Sequence, residues 1–168
     1  GDITLDAYFA GTVMFSPKPN LGFLKPIIRR SAMQNTRYRS DLRIAEDDEL
    51  VIRLLLAGVR YTYLPRPFYL YRKHDGSISH RLSSKHADLM VRSGQDIRNQ
   101  VVAAGLALGA YQVRYDSIRD AAAFSHSVEA LKARDIIGAV GAIIRRPSAL
   151  RHYRMPISAA WKRLTGAP

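Results

Sequence analysis

Everything after Arg81 is patterned for helix, and this constrains half of the chain before any motif is read. The stretch is rich in alanine, and apolar residues return at helical spacing in four successive segments, near 82–104, 112–133, 135–145 and 148–164. Gly105 and Gly109 punctuate the first boundary, while Pro147 and Pro156 mark or kink the last helix. The residues before Arg81 carry mixed signals. The aromatic and β-branched run at 7–15 predicts a strand, broken by Ser16-Pro17-Lys18-Pro19-Asn20. A short helix is expected near Lys25 to Ser31. From Asp47 to Ala57, Leu50, Val51, Leu54 and Leu55 recur at helical spacing, and Gly58 stands where a left-handed C-cap residue belongs. Val59, Tyr61 and Tyr63 then alternate with Arg60 and Thr62, Pro65 and Pro67 bound a turn, and Phe68 to Arg72 reads as a second extended run. The expected organisation is therefore a mixed α/β part, residues 1–81, holding the polar clusters, followed by a helical part, residues 82–168, with little chemistry of its own.

Composition excludes several classes. With 47% hydrophobic residues in 168, the chain has the material for a real core. No cysteine is present, so disulfides, thiolate zinc sites and cysteine nucleophiles are ruled out. The longest strongly apolar run, Ile136 to Ile144, contains Gly138 and Gly141 and is far shorter than the ~20 residues a bilayer crossing needs. The N-terminus, Gly1-Asp2-Ile3-Thr4-Leu5-Asp6, lacks a basic start and an apolar stretch, and reads as a cut inside a longer chain.

The net charge of +12 is uneven: residues 1–81 hold 13 Lys and Arg against 8 Asp and Glu, and residues 82–168 hold 13 against 6. After Asp135 there is no acid, while Arg145, Arg146, Arg151, Arg154, Lys162 and Arg163 follow. Such a tail seeks polyanions. No helix-turn-helix, zinc-finger or aromatic RNA-binding signature accompanies it, so a nucleic-acid partner is not expected. The segment Ser148 to Leu164 mixes Leu150, Tyr153, Ile157, Trp161 and Leu164 with these basic residues, a composition suited to a membrane interface; packing on its own domain or a dimer contact are the alternatives.

Four blocks in order, Gly22-Phe23-Leu24-Lys25-Pro26, Glu46-Asp47-Asp48-Glu49-Leu50, Arg53-Leu54-Leu55-Leu56-Ala57-Gly58 and Tyr69-Leu70-Tyr71-Arg72-Lys73-His74-Asp75-Gly76-Ser77-Ile78-Ser79, resemble family 2 glycosyltransferases, in particular bacterial exopolysaccharide enzymes of the succinoglycan type. The resemblance implies the C-terminal, acceptor-side portion of a GT-A fold, whose Rossmann-like N-terminal half binds the sugar nucleotide and carries an Asp-x-Asp motif for a divalent metal, Mn or Mg. No two aspartates here are separated by a single residue. The expectation is that the nucleotide-binding half lies outside this chain, that the chain alone is inactive and that it binds no metal alone.

By the same resemblance Asp47 is the base that takes the acceptor hydroxyl's proton during inversion, and Glu46 positions it or contacts the acceptor. A carboxylate in a helix's first turn suits the role, because the macrodipole favours the charged form. The bland reading is that Glu46 to Glu49 are ordinary first-turn acids. Asp48 stands where the family usually shows a large or aromatic residue. His74 is the candidate metal ligand. Lys25, Arg72, Lys73, Ser77 and Ser79 are candidates for the acceptor or the diphosphate; loop solubility is the competing explanation for the last four. Two function classes follow. One is part of a metal-dependent inverting transferase that moves a hexose from a nucleotide-diphosphate sugar to a lipid-linked glycan, at the cytoplasmic face of the plasma membrane. The other is a non-catalytic module that docks a partner protein or an anionic membrane through its basic helical half.

Overall fold

A computed structural model of the chain describes residues 1–33, 35–42, 44–68, 70 and 82–165. In order they form β1 (Asp2–Ile3), α1 (Leu5–Gly11), a 3-10 turn at Leu21–Phe23, α2 (Arg30–Met33), α3 (Glu46–Leu56), β2 (Tyr61–Thr62), α4 (Ser84–Ala103), α5 (Gly109–Lys132), α6 (Ile136–Arg145), a 3-10 segment at Pro147–Tyr153 and α7 (Arg154–Thr165). The two strands pair antiparallel, Asp2 opposite Thr62 and Ile3 opposite Tyr61, and the Thr62 hydroxyl donates to Asp2 Oδ1 at 2.6 Å.

The strand expected at 7–15 is not there. Thr4 caps a helix instead, its hydroxyl accepting from the Ala7 N–H at 3.2 Å, and Asp6 supplies a first-turn acid. Packing explains why the aromatic run obeys the cap. Tyr8 and Phe9 are adjacent and both buried, which a strand with one solvated face, alternating its side chains, would not allow. The short helix expected near Lys25 is likewise displaced and reduced to α2. Pro26 disfavours helical backbone at Lys25, and the helix begins only at Arg30. Of the second extended run, residues 69, 71 and 72 lie outside the described residues, and Phe68 and Leu70 are in no strand.

The helical forecasts fare better. α3 ends in a Schellman motif: Gly58 takes φ +81°, its N–H bonds to Leu55 O at 3.0 Å, and the Val59 N–H bonds to Leu54 O at 2.9 Å. The same motif closes α4 at Gly105 (φ +68°) and α5 at Arg134 (φ +61°), the latter without a glycine. α5 starts at Gly109, three residues ahead of the expected start. The last segment begins as 3-10 at Pro147 and becomes α-helical at Arg154, and Pro156 falls in the first turn of α7, where a missing N–H costs little.

One core spans both parts of the sequence. Tyr8 and Phe9 of α1, Val51 and Ile52 of α3, Ile97 and Val101 of α4, and Tyr111 and Tyr115 of α5 form a single buried cluster. Phe9 meets Tyr111 edge-on at 4.9 Å between ring centroids. Gly94 lets α5 approach α4 closely, since a Cβ there would lie 2.7 Å from the Tyr115 ring, and the Tyr111 hydroxyl donates to Gly94 O. The N-terminus of α3 is thereby held against the helical part rather than on a separate body.

Candidate functional site

α3 opens without a conventional cap. Ala45 occupies the N-cap position with left-handed backbone (φ 64°) and has no side chain to bond the first turn. Asp47 substitutes for it: its Oδ1 accepts the Asp48 N–H at 2.8 Å. Its Oδ2 faces Lys25 Nζ at 3.3 Å across the surface, so two candidate site residues far apart in sequence are brought together. The pair is a third to a half exposed, and a contact of this kind is worth little and is readily displaced. Glu46 is half-buried next to it.

The other two acids of the run have different duties. Glu49, 4% exposed at its side chain, accepts from Nε and Nη2 of Arg53, at 2.8 and 2.9 Å, and Nη2 also donates to Arg37 O at 2.6 Å. Asp48 is buried and paired with Arg114 of α5, whose side chain is 4% exposed. The same guanidinium donates through Nε to Thr12 Oγ1 at 2.9 Å, and Thr12 in turn donates to Tyr8 O at 2.9 Å. Burial first, and then the neighbouring Asp48 charge, push the Tyr8 phenol well above its ordinary pKa. The cluster thus divides into two inward acids that fix the helix and two outward acids, Glu46 and Asp47, that remain accessible.

Asp47, Val51, Leu54 and Leu55 share one face of α3. Below Asp47 that face lines an open groove of approximately 1040 Å³, whose other walls include Lys25, Ile27, Arg29, Tyr61 and Phe68. It is mainly apolar with basic side chains at its margin. Arg72, Lys73, His74, Ser77 and Ser79 lie outside the described residues. No group of three or more His, Asp or Glu converges to hold a metal ion among the described residues.

Sequence reasoning missed Arg114 and Thr12 altogether. A signal for Arg114 existed: it falls on the apolar stripe Tyr111, Tyr115 and Ile118 of α5, where a charge can persist only with a buried partner. Part of the basic tail is likewise tied inward. Arg146 Nε bonds Asp120 Oδ1 at 2.6 Å and its Nη2 bonds Asp116 Oδ1 at 2.7 Å; Arg151 Nη2 reaches Asp120 Oδ2 at 2.5 Å, and Ser148 adds a hydroxyl at 2.6 Å. Burial would raise the Asp116 carboxyl, but hydrogen bonds from Gln112 and Arg146 outweigh it and hold the group below its ordinary value. Two of the arginines expected to seek polyanions therefore fasten the chain beyond α6 back onto α5.

No family model matches the chain, and no solved structure matches it. Over 164 residues, 96% of its length, it is 36% identical to the succinoglycan biosynthesis protein ExoO of Rhizobium meliloti (strain 1021). The match covers 47% of that protein, so the chain spans about half the length of this relative.

Proposed function

From a chain related over nearly its whole length to an exopolysaccharide-biosynthesis protein, we infer part of an inverting glycosyltransferase: the acceptor-side, C-terminal portion of a family 2, GT-A enzyme, with Asp47 as its base. The observation that carries this reading is the division of the acid run. Asp48 and Glu49 are taken up by Arg114 and Arg53, whereas Asp47 holds a carboxylate at the surface, paired with Lys25, which itself lines the groove.

The chemistry needs such a group. An acceptor hydroxyl becomes an adequate nucleophile only as its proton leaves, and an accessible carboxylate can take that proton while the bond to the anomeric carbon forms and the bond to the diphosphate breaks. Lys25, loosely held by Asp47, is free to turn to an anionic portion of the acceptor when it enters. The apolar groove with its basic margin fits a lipid-linked glycan. Glu46 orients Asp47 or contacts the acceptor. A divalent metal in the whole protein would neutralise the departing diphosphate, with His74 as its candidate ligand. The donor would be a nucleotide-diphosphate hexose, and the location the cytoplasmic face of the plasma membrane. The inward pairs favour the non-catalytic reading for half of the cluster, Asp48 and Glu49, but not for Asp47.

The test is Asp47→Asn in the whole protein. Asparagine keeps the size and the capping oxygen but lacks a basic carboxylate, so kcat is expected to fall at least ~10²-fold with donor KM nearly unchanged. Nearly full turnover in this variant would return the whole run to helix capping. A larger loss for Asp48→Asn, at equal fold stability, would shift the base by one position.

A further inference from the structure

α6 is the most apolar helix of the chain and buries little of itself. Ala139 faces the interior at 3% exposure, while Ile136, Ile137, Val140 and Ile144 are between 51% and 87% exposed. Their spacing places them along one side of the helix, opposite the contact with α5. Exposing four large aliphatic groups on a ten-residue helix is unfavourable unless something covers them.

Charge indicates what that is. Arg134 lies just ahead of the Asp135 cap and Arg145 ends the helix, and both are exposed. The one acid at this end, Asp135, turns its carboxylate onto the helix as a cap, accepting the Gly138 N–H at 2.8 Å. No acid occurs anywhere later in the chain. Arg146, by contrast, is directed inward to Asp116 and Asp120 and adds nothing to this face. The next helix, α7, shows Ile157 and Trp161 exposed one turn apart, and Trp is favoured at membrane interfaces. At ~1.5 Å per residue α6 is too short to cross a bilayer and suited to lie along one.

We propose that the outward face of α6 docks on an anionic lipid bilayer, with Ile136, Ile137, Val140 and Ile144 sunk to the acyl boundary and Arg134 and Arg145 against the headgroups. This deepens the membrane location proposed above, yet it needs neither a donor nor turnover, so its failure would leave the reading of Asp47 intact. Co-sedimentation of the whole protein with vesicles of phosphatidylcholine alone, and of phosphatidylcholine mixed with phosphatidylglycerol, tests it. Binding is expected to the mixed vesicles only and to weaken with added salt. Ile137→Ser combined with Ile144→Ser should lower the partition coefficient at least about tenfold, and Arg145→Gln about fivefold, each with an unchanged melting curve. Equal binding to both vesicle types, binding to neither, or binding unaffected by the double isoleucine variant would overturn the proposal. So would a concentration-dependent dimer abolished by the same isoleucine substitutions, which would assign the face to a second copy of the chain.

Discussion

The acid run that opens α3 and the basic run that follows α6 look alike in sequence, each a cluster of one sign, and the fold ties part of each inward while leaving the rest at the surface. At α3 the inward members, Asp48 and Glu49, anchor the helix, and the two flanking acids remain open. Beyond α6, Arg146 and Arg151 are bound to Asp116 and Asp120 of α5 while Arg154 is exposed, as are Arg134 and Arg145 at the two ends of the apolar helix. A run of charge in sequence is therefore not a quantity of available charge. What remains available depends on partners that lie far away along the chain.

The largest stability effect that would break this comparison is expected at Arg114. Arg114→Met leaves the Asp48 carboxylate buried without its cation, for an expected loss of about 3–5 kcal/mol in urea or thermal unfolding. Adding Asp48→Leu should restore much of that loss, because an uncharged pair no longer needs compensation; failure of the double variant to recover would mean that Arg114 acts mainly through Thr12. A smaller loss, about 2 kcal/mol, is expected for Asp120→Asn, which weakens charged hydrogen bonds to Arg146 and Arg151. The same variant sharpens the contrast between the two runs, since releasing Arg151 and loosening Arg146, which Asp116 still holds, should strengthen binding to anionic vesicles. Unchanged vesicle binding would show that those arginines stay inward even without the full carboxylate. Smallest of all is Lys25→Met, expected to move stability by less than ~1 kcal/mol because the Asp47 contact is largely solvated. A shift as large as that of Arg114→Met would mean that Asp47 is held as a structural ion, and its accessibility to an acceptor would have to be given up.

Legibility followed the range of the interactions. The Gly58 stop of α3 could be read directly, because a left-handed residue after an apolar helix is a local requirement. The helical half was equally readable, to within a few residues at the start of α5. The run at 7–15 was misread because β propensity of aromatic residues is a weak preference that Thr4 capping and the burial of both Tyr8 and Phe9 override. At the site, Asp47 and Glu46 could be singled out by resemblance, but nothing local distinguishes them from Asp48 and Glu49.

The sequence by itself determined the helical second half, the acid-headed α3 with its glycine stop and the excess of positive charge, since these follow from periodicity, backbone conformation and residue counts. Only the tertiary structure decided which charges are left over. Arg114 reaches Asp48 across 66 positions, and Arg146 reaches Asp120 across 26, because α5 packs against both regions at once. Desolvation makes a buried ion without a partner so costly that each such pair forms wherever the fold brings its members together, and no local pattern specifies where that is.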